Sequence, residues 1–166
     1  LTLAGGPATP PGLRQAAFDS LRDIGGPGAI DGLVPLCHKP VDGSIRRQAV
    51  LVLSALKLDQ RVPLAIETLI DTPTEAEALA LWRGLLNIKG AATALAKSLP
   101  KSGLPALMAK AGLRAAREGG RNEPDLALAL TRGGDLSEGD ATLTEAELKQ
   151  LVADVTSKGD AARGEL

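Results

Sequence analysis

The sequence predicts an all-α protein, an α-α superhelix in which short helical hairpins stack in single file, and three observations carry that prediction. Leu21-Arg22-Asp23-Ile24-Gly25-Gly26, Leu53-Ser54-Ala55-Leu56-Lys57-Leu58, Leu85-Leu86-Asn87-Ile88-Lys89-Gly90 and Leu113-Arg114-Ala115-Ala116-Arg117-Glu118 each close a Leu/Ala-rich stretch, their first leucines standing 32, 32 and 28 residues apart. A repeat of that length suits a pair of helices whose apolar sides are sealed by the next pair. Alanine and leucine together form about a third of the 166 residues, while aromatics are 1% and tyrosine is absent. That composition favours helices packed through small side chains over strands built on β-branched and aromatic ones. Finally, apolar residues recur at three- and four-residue steps along most of the chain.

Taken in order, residues 1–12 read as a lead-in in which Gly5, Gly6, Pro7, Pro10 and Pro11 break regular structure. Leu13, Ala16, Ala17, Phe18, Leu21 and Ile24 mark an amphipathic helix over 13–24, and Gly25-Gly26-Pro27 ends it. Its partner runs over 28–37, before Pro40. The second pair is expected over 45–56, with Ser44 as N-cap, and 60–70. Within it Ala49-Val50-Leu51-Val52-Leu53 is apolar on every side, which marks an interior hairpin covered from several directions. Pairs three and four follow over 74–88 with 91–99 and 104–118 with 123–131, the last turning at Gly119-Gly120-Arg121-Asn122 as the first turns at Gly25-Gly26. The repeats thus occupy 13–132, followed over 133–158 by a polar linker and one more helix, where Thr144 and Glu147 form a capping box. Residues 159–166 read as the truncated start of a following domain.

Composition excludes several functions. Nineteen basic and twenty acidic residues leave a net charge of −1, so no long-range field draws in phosphate backbones or anionic lipid. With almost no aromatic rings to stack bases, nucleic-acid binding is not expected. One cysteine rules out an internal disulfide, and no apolar run reaches the length of a membrane span. The chain opens at Leu1 and its sole methionine is Met108, from which we expect a piece of a longer protein, monomeric when isolated.

Leu13-Arg14-Gln15-Ala16-Ala17 with Leu21 and Ile24-Gly25, followed at the repeat distance by Ile45-Arg46-Arg47-Gln48-Ala49 with Leu53 and Leu56, resembles the short HEAT-like repeat. The resemblance covers 13–131 and implies a HEAT-like or ARM-like right-handed solenoid of about four helix pairs plus a C-terminal helix. It departs in the third repeat, where Glu75 to Glu77 replace the leading basic residue, and in the shorter fourth. At the other end, Lys158-Gly159-Asp160-Ala161-Ala162-Arg163-Gly164-Glu165 is similar to the approach to a c-type cytochrome domain in large bacterial multidomain proteins. Those proteins combine a sugar-dehydrogenase-like β-propeller, HEAT-like repeats and a C-terminal haem domain. The likeness implies a periplasmic or otherwise exported redox parent whose Cys-x-x-Cys-His motif lies beyond Leu166, and no haem on this stretch itself.

No catalytic, cofactor-binding or metal-binding residue is expected. Cys37-His38 has the last two letters of a haem-attachment motif, but Val34 stands where its first cysteine belongs, so a buried cysteine and a helix-end histidine are favoured. Asp140, Thr142, Thr144 and Glu147 echo the later half of a calcium loop, yet Leu136 and Ala141 occupy the places of the first aspartate and the turn glycine. Arg14, Arg46 and Arg47 stand at equivalent places and could form a basic ladder for an acidic partner, against the commoner alternative of solvated arginines paired with Asp19, Asp42 or Asp59. Trp82 could anchor a partner, but its apolar neighbours favour a core role. A single histidine leaves little from which to build a nucleophile triad, and Glu75 and Glu77, two apart on a helix, cannot share a substrate.

The expectation is therefore a non-catalytic scaffold, a spacer and docking domain that holds neighbouring domains of its parent chain, or another protein, at a set distance and angle. The alternative is a peptide- or protein-binding module that uses the concave face lined by the second helices. A lyase-like or haem-linked activity by kinship ranks below both, because fold does not transfer chemistry.

Overall fold

The computed structural model describes residues 2–136, 149, 152 and 153. The chain divides into two units, Leu1–Asp135 and Leu136–Leu166. In the second, Lys149, Val152 and Ala153 are helical, and the rest of the helix expected over 144–158, with its capping box and calcium-loop echo, lies outside the described residues.

The first unit is all-helical. Its elements are α1 (Thr2–Gly5), α2 (Pro11–Ile24), α3 (Gly26–Leu33) with a 3-10 turn at Val34–Cys37, α4 (Gly43–Ile70), α5 (Glu75–Leu86), α6 (Ala91–Ser98), α7 (Ala106–Arg117) with a 3-10 turn at Glu118–Gly120, and α8 (Pro124–Gly133). Among the described residues there is no strand. The lead-in differs from the expectation of no regular structure: Thr2, Leu3 and Ala4 precede the first glycine, so one helical turn closes, and Ala4 is fully buried.

Glycine pairs end two of the helices as the sequence suggested. Gly25 and Gly26 have φ of 58° and 74°, and Gly119 and Gly120 have φ of 64° and 73°, a left-handed geometry that side chains with a Cβ resist. The second pair needs no such loop. The two helices expected over 45–56 and 60–70 are the arms of α4, separated at Lys57, whose φ of −149° and ψ of 62° break the helical path.

Capping corrects one assignment. Asp42, not Ser44, caps α4: its carboxylate accepts from the amides of Ser44 (2.9 Å) and Ile45 (3.3 Å), and Ser44 gives its own hydroxyl proton to the same oxygen (2.6 Å). An ionised oxygen is the better acceptor for the exposed amides of a first turn. Those three bonds hold the Asp42 carboxyl below its usual range, the Ser44 hydroxyl foremost. A cap the sequence reading missed opens α5, where the Glu77 amide donates to Thr74 Oγ1 (3.3 Å) and the Thr74 hydroxyl donates to the Glu77 carboxylate (3.0 Å).

Neighbours in sequence are neighbours in space. α2 packs on α4, α4 on α5 and α5 on α7, while α3 and its 3-10 turn pack on α4, α4 on α6 and α6 on α8. The core threads through these contacts, with Phe18, Leu33, Leu53, Leu69, Leu95 and Leu130 each essentially sealed from solvent. Small residues permit the approach: a Cβ on Gly84 would stand 2.7 Å from Leu51 Cδ2, and one on Gly133 would meet the carbonyl oxygen of Pro100 at 2.6 Å.

Ser54 breaks the apolar pattern inside this core. It is fully buried and its hydroxyl has no partner, a combination that costs free energy with no compensating bond. Ser54→Ala is expected to raise stability by about 1 kcal/mol, because it removes the stranded hydroxyl and adds a better helix former. Urea midpoints of the two proteins measure this, and a lower midpoint for the alanine variant would contradict the reading.

Candidate functional site

Polar side-chain bridges join α2 to α4, α4 to α5, and α5 to the segment at the end of α7. Gln48 Nε2 donates to Gln15 Oε1 (3.3 Å) across 33 residues, Arg47 pairs with Glu77 across 30, and Arg121 donates to Asn87 Oδ1 across 34. Arg83 binds Glu118 across 35 residues through two parallel bonds of 2.6 and 2.8 Å, and Arg114, one turn before Glu118, adds a weaker contact at 3.4 Å.

The three arginines considered as a ladder do not line one solvated face. Arg14 donates to the carbonyls of Gly6 (3.1 Å) and Thr9 (3.0 Å) and so ties the lead-in to α2. Arg46 is buried and meets Asp71 at 3.1 Å, a carboxylate that Lys39 also approaches at 2.8 Å. Arg47 goes to Glu77. Arg46 and Arg47 thus go to Asp71 and Glu77, not to the carboxylates nearest in sequence, while Arg14 acts on Asp42 through its charge alone.

The bridging carboxylates make the assembly acid-sensitive. Arg83, by its hydrogen bond, holds Glu118 below its ordinary 4.5, and Lys39, with Arg46 behind it, holds Asp71 below its ordinary 3.8. A carboxyl whose folded value lies below its unfolded one stabilises fully above the unfolded value and loses that contribution as pH falls through the folded one. The melting temperature is therefore expected to hold from pH 7 to about 5 and to drop below about 4. Glu118→Gln should make the drop shallower, and identical pH profiles for the variant and the parent protein would show that the bridge contributes nothing.

Cys37 and His38 separate in character. Cys37 is buried, its thiol donates to Leu33 O at 3.3 Å, and burial pushes its pKa up to about 12, with Arg61 opposing. His38 is exposed just past the 3-10 turn. At pH 8 a thiol of that kind carries almost no thiolate, so Ellman's reagent is expected to modify Cys37 only in denaturant. Reaction in native buffer at the rate of a free cysteine would be incompatible with this burial.

Trp82 is fully buried, and its Nε1–H donates to Met108 O at 3.0 Å, which places it in the core between α5 and α7. Glu77 is engaged by Arg47 and Thr74, whereas Glu75 is exposed. Among the described residues no cluster of three or more histidine, cysteine, aspartate or glutamate side chains could hold a metal ion, and no helix is long and apolar enough to cross a membrane.

A groove of about 440 Å3 lies across α2, α4 and α5. α2 contributes Gln15, Phe18, Asp19 and Arg22, and α4 contributes Gln48, Leu51, Val52 and Ala55, each of the second set 33 residues after its counterpart. Gly84 and Ile88 of α5 continue the same register from Leu51 and Ala55, joined by Asn87. Positions i, i+3, i+4 and i+7 share one helix side, so α2 and α4 each present one face to the groove. A smaller hollow of about 240 Å3 lies between α6 and α8, with Lys97, Asp125 and Arg132 around the half-exposed Leu128.

No family model matches the sequence, and no curated protein or solved structure does so either.

Proposed function

We propose that the chain is a non-catalytic scaffold, a HEAT-like right-handed solenoid of about four hairpins that spaces and docks its neighbours within a larger multidomain protein. The observation that carries this reading is the run of cross-hairpin side-chain bonds between residues 26 to 35 apart, because contacts between units adjacent in sequence are what stacked repeats produce. The main packing partners of every helix fall in the same or the adjacent hairpin, which supports it further. On the C-terminal likeness, the parent is an exported haem-c redox protein.

A stack couples mainly nearest neighbours, so damage should fade with distance along it. In native-state hydrogen exchange, Leu130→Ala, which hollows the fully buried end of α8, should loosen α7 and α8 most, α5 and α6 less and α2 least. Equal loosening of all helices would overturn the stacked reading. The second reading, a binding module, is favoured by the groove, although that groove lies on the first helices and not on the second-helix face where a concave site was expected.

A further inference from the structure

Residues 2–10 hold to the rest of the first unit by little. Where α2, α3, α6 and α8 are anchored by Phe18, Leu33, Leu95 and Leu130, the one buried side chain of this stretch is the methyl group of Ala4. Gly5 adds a close approach, since a Cβ there would stand 2.7 Å from Leu36 Cδ2. Thr2, Leu3, Pro7, Ala8 and Pro10 are exposed. So small an apolar contact places the stretch among the segments that open locally while the helices stay folded.

The other attachment is a single guanidinium. Arg14 Nη2 donates to the carbonyl oxygens of Gly6 (3.1 Å) and Thr9 (3.0 Å), with that of Pro7 at 3.4 Å, and among the described residues no other side chain hydrogen-bonds to the stretch. The clamp is incomplete. Arg14 Nε is buried without a partner, so the closed arrangement leaves one donor of the group unsatisfied. A second acceptor competes for the same cation: Asp42, the cap of α4, feels the positive charge of Arg14. A carboxylate binds guanidinium more strongly than neutral carbonyls do, and two parallel N–H bonds to it take up Nε together with one Nη. Arg14 therefore has two mutually exclusive settings.

We propose that residues 2–9 form a strap that opens and closes over Leu36 independently of the longer helices, and that Arg14 is its two-position latch. Closed, the guanidinium holds the carbonyls of Gly6 and Thr9; open, it turns to the Asp42 carboxylate. Opening uncovers Leu36 and the part of α2 on which α1 packs, so the strap hides or presents an apolar surface without unfolding any longer helix. It does not depend on how the hairpins are stacked.

NMR on the full chain tests both parts. Arg14→Met keeps the apolar stem and deletes the donors, and should lower the amide order parameters of residues 3–9 from about 0.85 to below about 0.6 while α2 and α4 stay rigid. Ala4→Gln, too large and polar for its sealed place, should free the strap in the same way. There the carboxyl titration midpoint of Asp42 should fall by about one pH unit, because the released guanidinium turns to it. Asp42→Asn keeps a good cap, removes the competitor and should slow exchange of the Thr9 amide, bonded to Gly6 O at 3.1 Å, about fivefold. A strap still rigid in Arg14→Met, an Asp42 midpoint unmoved or raised in Ala4→Gln, or Thr9 exchange unaltered in Asp42→Asn would overturn the proposal. Unfolding of the Ala4→Gln protein would overturn it as well, since residues 2–9 would then belong to the common core.

Discussion

Trp82→Ala is expected to cost about 3–5 kcal/mol. The side chain has no exposed surface, fills the junction of α5 and α7, and satisfies the carbonyl oxygen of Met108 through its ring nitrogen. Truncation therefore leaves a cavity and removes a second hydrogen bond from a carbonyl that lies within the helical ladder of α7. Trp82→Phe separates the two contributions, because it keeps most of the volume and deletes the hydrogen bond, and should cost about 0.5–1.5 kcal/mol from that bond. Urea unfolding followed by circular dichroism gives both numbers, since the tryptophan reporter is lost. A cost below about 1 kcal/mol for the alanine variant would mean that the ring is not the filler described.

Gly112→Ala is expected to destabilise by about 1–3 kcal/mol, against the usual direction of a glycine-to-alanine change inside a helix. A Cβ there would stand 2.8 Å from Trp82 Cε2 and 2.8 Å from Leu130 Cδ1. The leucine tip can swing aside, but the indole ring is rigid and held by its bond to Met108. The two sites must therefore couple. In the Trp82→Leu background the same Gly112→Ala change should cost markedly less, so a double-mutant cycle reads the contact directly. Equal costs in both backgrounds would show that the methyl group is accommodated without touching the ring.

Much of the helical order was legible because the signals were local. Apolar residues three and four apart, and paired glycines at 25–26 and 119–120, depend only on helix geometry and on the conformational freedom of glycine, and the ends of α2, α6, α7 and α8 fall within a few residues of expectation. The cap of α4 was misplaced because Ser44 and Asp42 are both good caps two residues apart, and only the backbone settles which carboxylate or hydroxyl faces the free amides. Tertiary partners were a different matter. Nothing local says that Arg83 will find Glu118 or that Arg46 will be buried against Asp71. The groove was illegible for a related reason. Its lining includes Gly84 and Ala55, residues that register in a sequence only as small, and its rim includes Gln48, whose bond to Gln15 joins positions 33 residues apart.

The break at Lys57 has its own consequence for where this chain can be cut or lengthened. A connection made of one non-helical residue holds no slack, so an inserted residue would rotate everything after it about the helix axis instead of bulging outward. The stretch 99–105 is different in kind, with Lys101, Ser102 and Gly103 all exposed and Gly103 free of any neighbour within 4 Å of an added Cβ. Proteolytic nicking, grafted tags and new termini belong there, and the elbow in α4 is where the chain should refuse them.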